Sequence, residues 1–109
     1  MSEAIETARN MKKVIKRLAE EKENLEQLGQ AKADAMCEYD KLRGVRELVH
    51  KDAGMSVTLV PGQAKKDCAE LLRDKVVAEE RLKAKYCVID ILKSQLNAYQ
   101  SINRHLSVS

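Results

Sequence analysis

The stretch from Cys68 to Leu96, CAELLRDKVVAEERLKAKYCVIDILKSQL, decides the fold. Its apolar residues recur at intervals of three and four, which is the spacing of one face of an α-helix. A seven-residue repeat with Cys68 at position a describes the whole second half of the chain. Its a series is Cys68, Lys75, Leu82, Ile89, Leu96, Asn103, and its d series is Ala64, Leu71, Ala78, Lys85, Leu92, Tyr99, Leu106. This repeat is typical of a coiled-coil helix.

The first half of the chain carries the same repeat. Its a series is Ala4, Met11, Leu18, Leu25, Lys32, Tyr39, and its d series is Thr7, Val14, Glu21, Leu28, Ala35, Leu42, Val49. The repeat stops before Gly54, and a glycine just after a helix, with Lys51 in the last turn, favours a helix end. The sequence therefore predicts helix 1 over about residues 2–52 and helix 2 over about residues 63–106.

The segment between the two repeats, residues 53–62, differs in composition. Val57, Thr58, Leu59 and Val60 prefer extended backbone, and Pro61 biases the residue before it in the same direction. We predict a tip loop here, with a short strand as the alternative. Such a strand needs a neighbour, so this tip is a candidate site for partner contact by strand addition.

A short connection between two long helices predicts an antiparallel fold-back. We expect one all-α domain over residues 1–109, a coiled-coil-like two-helix hairpin with a tip loop. The expected register places Leu18 beside Leu96 and Tyr99, and it places Glu21 beside Lys93, where the opposite charges would fix the alignment.

Composition restricts the possible environments. The 109 residues are 44% hydrophobic and 34% charged, with no Trp, no Phe and three Cys. No apolar stretch approaches the roughly 18 residues of a membrane span. The sequence contains no Cys-x-x-Cys pair, so a zinc site is not expected. We expect a cytoplasmic protein with reduced cysteines and no membrane contact.

Helix 2 has more apolar residues than a two-helix contact needs. The run from Tyr86 to Leu92 is apolar on nearly all sides, and a helix of this kind is normally buried on more than one side. We therefore predict a homodimer that forms a four-helix bundle, with a hetero-complex that buries the same surface as the alternative. The residues predicted to mediate this self-association are Tyr86, Val88, Ile89, Ile91 and Leu92.

Catalytic patterns are not evident. The sequence contains no phosphate-binding loop, no dinucleotide fingerprint and no metalloprotease motif. The register brings His50 near Cys68, a pair that could form a nucleophile, but a structural role for both is the better interpretation. We predict no catalytic residue, no metal site, no cofactor and no enzyme.

Basic residues cluster near the start of helix 1. Their side chains could contact phosphates or an acidic protein patch, together with Arg104 at the same end. The cluster comprises Arg9, Lys12, Lys13, Lys16 and Arg17.

We expect a non-enzymatic protein-protein interaction module that binds a larger protein partner. It would be an adaptor, an assembly factor or an inhibitor, a class that includes proteins encoded by phages and mobile elements. The alternative is a nucleic-acid-binding protein that uses the basic end.

Overall fold

A computed structural model describes the backbone of residues 2–108 and the side chains of residues 3–106. The chain forms α1 (Ser2–Asp52), α2 (Val60–Asp67) and α3 (Ala69–Val108). No strand occurs in this described part. The prediction of an all-α protein is confirmed.

The end of α1 follows the glycine signal in the sequence. Gly54 has a φ of 85°, a left-handed conformation that glycine adopts without a Cβ clash. Its N–H donates to the Lys51 carbonyl at 3.0 Å, and the Met55 N–H donates to the His50 carbonyl at 3.1 Å. This pair of hydrogen bonds is the Schellman motif, which satisfies carbonyls left open at a helix end. The predicted termination of helix 1 is confirmed.

The tip is shorter than predicted, because α2 begins at Val60 rather than near residue 63. Pro61 lies in the first turn of α2, where its missing N–H costs no hydrogen bond. Val60 is helical although it precedes a proline, and its side chain is only 1% exposed. Burial of Val60 thus outweighs the local preference for extended backbone. The strand alternative was wrong, since Val57, Thr58 and Leu59 lie in turns.

A break at Cys68 separates α2 from α3, where the sequence predicted one continuous helix. The Cys68 backbone has φ −102° and ψ 19°. Its N–H is shared between the carbonyls of Ala64 and Lys65, each at 3.2 Å, and its own carbonyl accepts from the Leu72 N–H at 2.9 Å. The heptad repeat continues through the break, so periodicity alone could not reveal it.

Internal contacts divide the chain into two compact units. Unit 1 comprises Met1–Gln27 and Lys83–Ser109, and unit 2 comprises Leu28–Leu82. Helices α1 and α3 both contribute to each unit. The single-domain organisation of residues 1–109 stays a prediction.

Unit 1 buries a and d residues of both helices. Its core consists of Val14, Leu18, Ile89 and Leu92. Partly buried apolar side chains extend this core, and they are Leu25, Val88, Leu96 and Tyr99. The a and d assignments therefore identify the core positions of this unit.

An ion pair crosses the core seam of unit 1. The Lys85 ammonium donates to a Glu21 carboxylate oxygen at 2.5 Å, and the two side chains are 23% and 15% exposed. The predicted pairing of Glu21 with Lys93 was wrong. Lys85 occupies a d position that faces Glu21, whereas Lys93 lies at an exposed e position.

Unit 2 has buried side chains of its own. Tyr39, Val60, Ala64 and Cys68 are each 3% exposed or less. The ammonium of Lys75 lies 5.3 Å from the centroid of the Tyr39 ring. This distance is within the range of a cation–π contact, so the seam lysine has an aromatic partner.

Candidate interaction surfaces

Asp67 is the centre of a polar network in unit 2. Its carboxylate accepts hydrogen bonds from His50 Nε2 at 2.5 Å, Arg46 Nε at 3.0 Å and Gln63 Nε2 at 3.2 Å. The hydrogen bond from His50 is the largest cause of a fall in the pKa of Asp67 from 3.8 to about 2, followed by the bond from Arg46. The network therefore links the C-terminal end of α2 to α1 through the ionised carboxylate of Asp67.

The Asp67 network predicts a specific loss of stability in acid. The folded-state pKa of Asp67 lies below its ordinary value, so the ionised group stabilises the fold above about pH 4 and this contribution disappears as pH falls through about 2. Asp67→Asn should be less stable than the wild type at pH 6, and the difference should shrink toward pH 2. Urea unfolding followed by circular dichroism measures both. A difference independent of pH would contradict this assignment.

His50 and Cys68 are not arranged as a catalytic base and its nucleophile, which would need a hydrogen bond between the two side chains. His50 contacts Asp67, and the Cys68 side chain is buried at 1% exposure. The Cys68 side chain is thus shielded from solvent. Among the residues whose positions are described, no three His, Cys, Asp or Glu side chains come together in a way that could hold a metal ion.

The tip residues divide into an exposed and a buried group. Val57 is 76% exposed and Leu59 is 63% exposed, and Thr58 is also exposed. Val60 is in the core, so its predicted contact with a partner was wrong. The N–H groups of Leu59 and Val60 both donate to the Ser56 carbonyl, at 2.9 and 3.2 Å. Strand addition needs free backbone donors in an extended segment, and the tip does not provide one.

A shallow apolar groove continues from the tip along the outer side of α2 and α3 in unit 2. We call it the outer groove. Its apolar lining is Ala69, Leu72, Val76 and Val77, and its basic lining is Lys65, Lys66 and Arg73. Gly62 lines both this groove and a smaller depression that includes Thr58 and Leu59. The sequence shows the extra apolar residues of helix 2, but only the folded backbone shows that they adjoin the tip.

The residues predicted for self-association do not share one surface. Ile89 and Leu92 are 4% and 3% exposed and belong to the unit 1 core, so their assignment to an open surface was wrong. Val88 is partly buried against that core. Tyr86 and Ile91 are exposed, at 53% and 59%. The sequence run looked apolar on all sides because it supplies the core and the surface at once.

The basic cluster near the start of α1 is accessible. All five of its members, Arg9, Lys12, Lys13, Lys16 and Arg17, are exposed. Arg104 is exposed on α3 in the same unit. No acidic residue lies between Arg9 and Arg17. The cluster therefore presents a concentrated positive charge to solvent.

No helix in the described residues 2–108 combines the length and hydropathy that a membrane crossing requires. No family model, no curated protein and no solved structure matches the chain.

Proposed function

We propose that this protein is a non-enzymatic interaction module, acting as an adaptor, assembly factor or inhibitor in the cytoplasm. It binds a larger protein through the outer groove and the adjoining tip. The observation that carries the proposal is the exposed apolar surface in unit 2. Leu72, Val76 and Val77 line a concavity that none of the chain's described side chains fills, and Leu59 lines the adjoining smaller depression at the tip.

The charge around the outer groove determines what kind of partner surface fits it. Lys65, Lys66 and Arg73 lie on its borders. A complementary partner presents an apolar strip flanked by carboxylates, such as one face of an acidic amphipathic helix. The apolar strip fills the groove, and the carboxylates reach the basic border, where they increase the rate of association.

Gly62 provides a test that leaves the fold intact. A Cβ at Gly62 meets no atom within 4 Å, and its φ is not positive. Replacement of a helical glycine by glutamine adds up to about 1 kcal/mol of helix stability. Gly62→Gln therefore keeps the protein folded while its side chain occupies the groove. Gly44→Gln is the matched control, since Gly44 is also helical, exposed and open.

The experiment is affinity capture from the native host, with and without nuclease, followed by quantitative mass spectrometry. A stoichiometric partner should be recovered by the wild type and by Gly44→Gln. Gly62→Gln should reduce its recovery at least tenfold, an effect of about 1.4 kcal/mol. Equal recovery by Gly62→Gln would refute the groove as the binding site.

Nucleic-acid binding is the second candidate function, favoured by the exposed basic cluster from Arg9 to Arg17. Its prediction differs in the same experiment. Captured material would then depend on nucleic acid, disappear with nuclease and weaken steeply as salt is raised. Recovery only in the absence of nuclease would replace the first proposal with this one.

A further inference from the structure

One side of α3 in unit 1 carries no charge over 19 residues. The c and g positions of the heptad there hold Ala84, Val88, Ile91, Gln95, Ala98 and Ile102, and the adjoining f positions hold Cys87, Ser94 and Ser101. We call these nine residues the uncharged face. One third of the chain is charged, so an ordinary solvated helix side of this size would hold about three charges.

The uncharged face does not contribute to the intramolecular core. Eight of its nine residues are exposed, and only Val88 is partly buried. Ile91 and Ile102 remain 59% and 46% exposed. The spacing of Ala84, Val88, Ile91, Gln95, Ala98 and Ile102 alternates four and three residues, so the face has the pattern of a second helix-packing seam.

We propose that the uncharged face binds the same face of a second copy of this chain, with the two α3 helices antiparallel about a two-fold axis near residue 93. This deepens the interaction role proposed above by naming the chain itself as one partner. The other flank of α3, which includes Tyr86, stays outside the contact.

The proposed register matches large side chains with small ones. Antiparallel packing pairs c positions with g positions, and a two-fold axis near residue 93 pairs residues whose numbers sum to 186. Ala84 then faces Ile102 of the second copy, Val88 faces Ala98, and Ile91 faces Gln95. Each bulky residue meets a smaller or unbranched one, so the layers can interdigitate on both sides of the axis. This register uses all six c and g residues.

Charges on α1 support the same axis. In an antiparallel helix pair the g positions of both helices lie on the same side. Arg17 is a g residue of α1 and Glu20 is a c residue next to that side, so both flank the uncharged face of α3. Both are exposed. The two-fold operation brings Arg17 of one copy toward Glu20 of the other, around residues 18 and 19 of α1. Val14 and Leu18 both belong to the core cluster with Leu92, so the level of α1 opposite residue 93 lies within about two helical turns of residues 18 and 19.

The first test is the oligomeric state, measured by sedimentation over a range of concentrations. The wild type should be a dimer, and Ile91→Lys should be monomeric with unchanged helicity because it replaces an exposed side chain. Tyr86→Lys is the matched control, since Tyr86 is similarly exposed on the same helix. It should remain a dimer. The proposal would be overturned if the wild type is a monomer, or if Tyr86→Lys dissociates the dimer and Ile91→Lys does not.

The second test measures the register with cysteines, in a background with Cys37→Ser and Cys87→Ser. Ser94→Cys lies next to the proposed axis and should form an intermolecular disulfide under mild oxidation. Ala84→Cys should not, because two copies of residue 84 are then about 27 Å apart, at 1.5 Å per residue over 18 residues. Efficient cross-linking of Ala84→Cys would indicate a parallel pair and refute the antiparallel arrangement.

These outcomes are separable from those of the proposed function. Ile91→Lys removes the dimer without touching the outer groove, and Gly62→Gln fills the groove without touching the uncharged face. Loss of partner capture with an intact dimer concerns the groove alone. A wild type that is monomeric and still captures the partner refutes only the dimer.

Discussion

Replacing Ile89 with alanine is expected to lower the free energy of unfolding by about 2–5 kcal/mol, the range for truncating a buried aliphatic side chain. Ile89 is 4% exposed and contacts the cluster of Val14, Leu18 and Leu92 that joins α1 to α3 in unit 1. Its removal leaves a cavity that two helices cannot easily close. Urea unfolding followed by circular dichroism at one fixed protomer concentration measures the change.

Ile15→Ala is the matched control for this variant. Ile15 has the same side chain and lies in the same unit, but it is 52% exposed. Its truncation should change the free energy of unfolding by less than about 1 kcal/mol, because little apolar area is lost and alanine favours the helix. Equal effects of the two substitutions would contradict the assignment of the core to the a and d positions.

The ion pair in the seam predicts the second large effect. Lys85→Glu places a carboxylate beside that of Glu21 in a site where both side chains are mostly buried. The loss should be about 2–4 kcal/mol, below or near the cost of breaking a fully buried pair. Thermal unfolding at low salt measures this loss. Lys93→Glu is the control, because it makes the same charge change at an exposed position of α3.

Reversal of both charges distinguishes the pair from a general charge effect. The double variant Glu21→Lys/Lys85→Glu restores opposite charges across the seam and should regain most of the stability that Lys85→Glu loses. Additive losses in the double variant would show that the two side chains do not interact. Recovery by a Glu21→Lys/Lys93→Glu variant instead would favour the register expected from the sequence.

Much of the fold follows from the heptad repeat, because the same periodicity that forms an amphipathic helix also selects its buried positions. Val14, Leu18, Ile89 and Leu92 are all a or d residues and all lie in the core. The end of α1 was equally predictable, since only a glycine easily adopts the conformation found at Gly54.

The register was not predictable from the repeat. A shift of the two helices by one heptad still places a and d positions opposite a and d positions, so the repeat alone aligns Glu21 with more than one lysine. The start of α2 was missed for a different reason. The local preference for extended backbone at Val60 was outweighed by the burial of its side chain, which is a tertiary effect.

The candidate surfaces were predictable in part. The excess of apolar residues around Tyr86 and Leu92 indicated a second contact, but the run alone did not separate core from surface. Assignment of each residue to a heptad position makes that separation, and it also reveals the uncharged c, f and g positions. The outer groove required the structure, because its continuity with the tip depends on the helical backbone at Gly62.

The register between α1 and α3 in unit 1 determines which residues form its core and which α1 residues lie beside the uncharged face. Zero-length carbodiimide coupling joins a carboxylate to an amine only when the two are in contact, and peptide mass spectrometry identifies the joined residues in the native sequence. We predict an intramolecular bond between Glu21 and Lys85, which lie 2.5 Å apart. A bond between Glu21 and Lys93 in its place would contradict the register and the core assignment built on it.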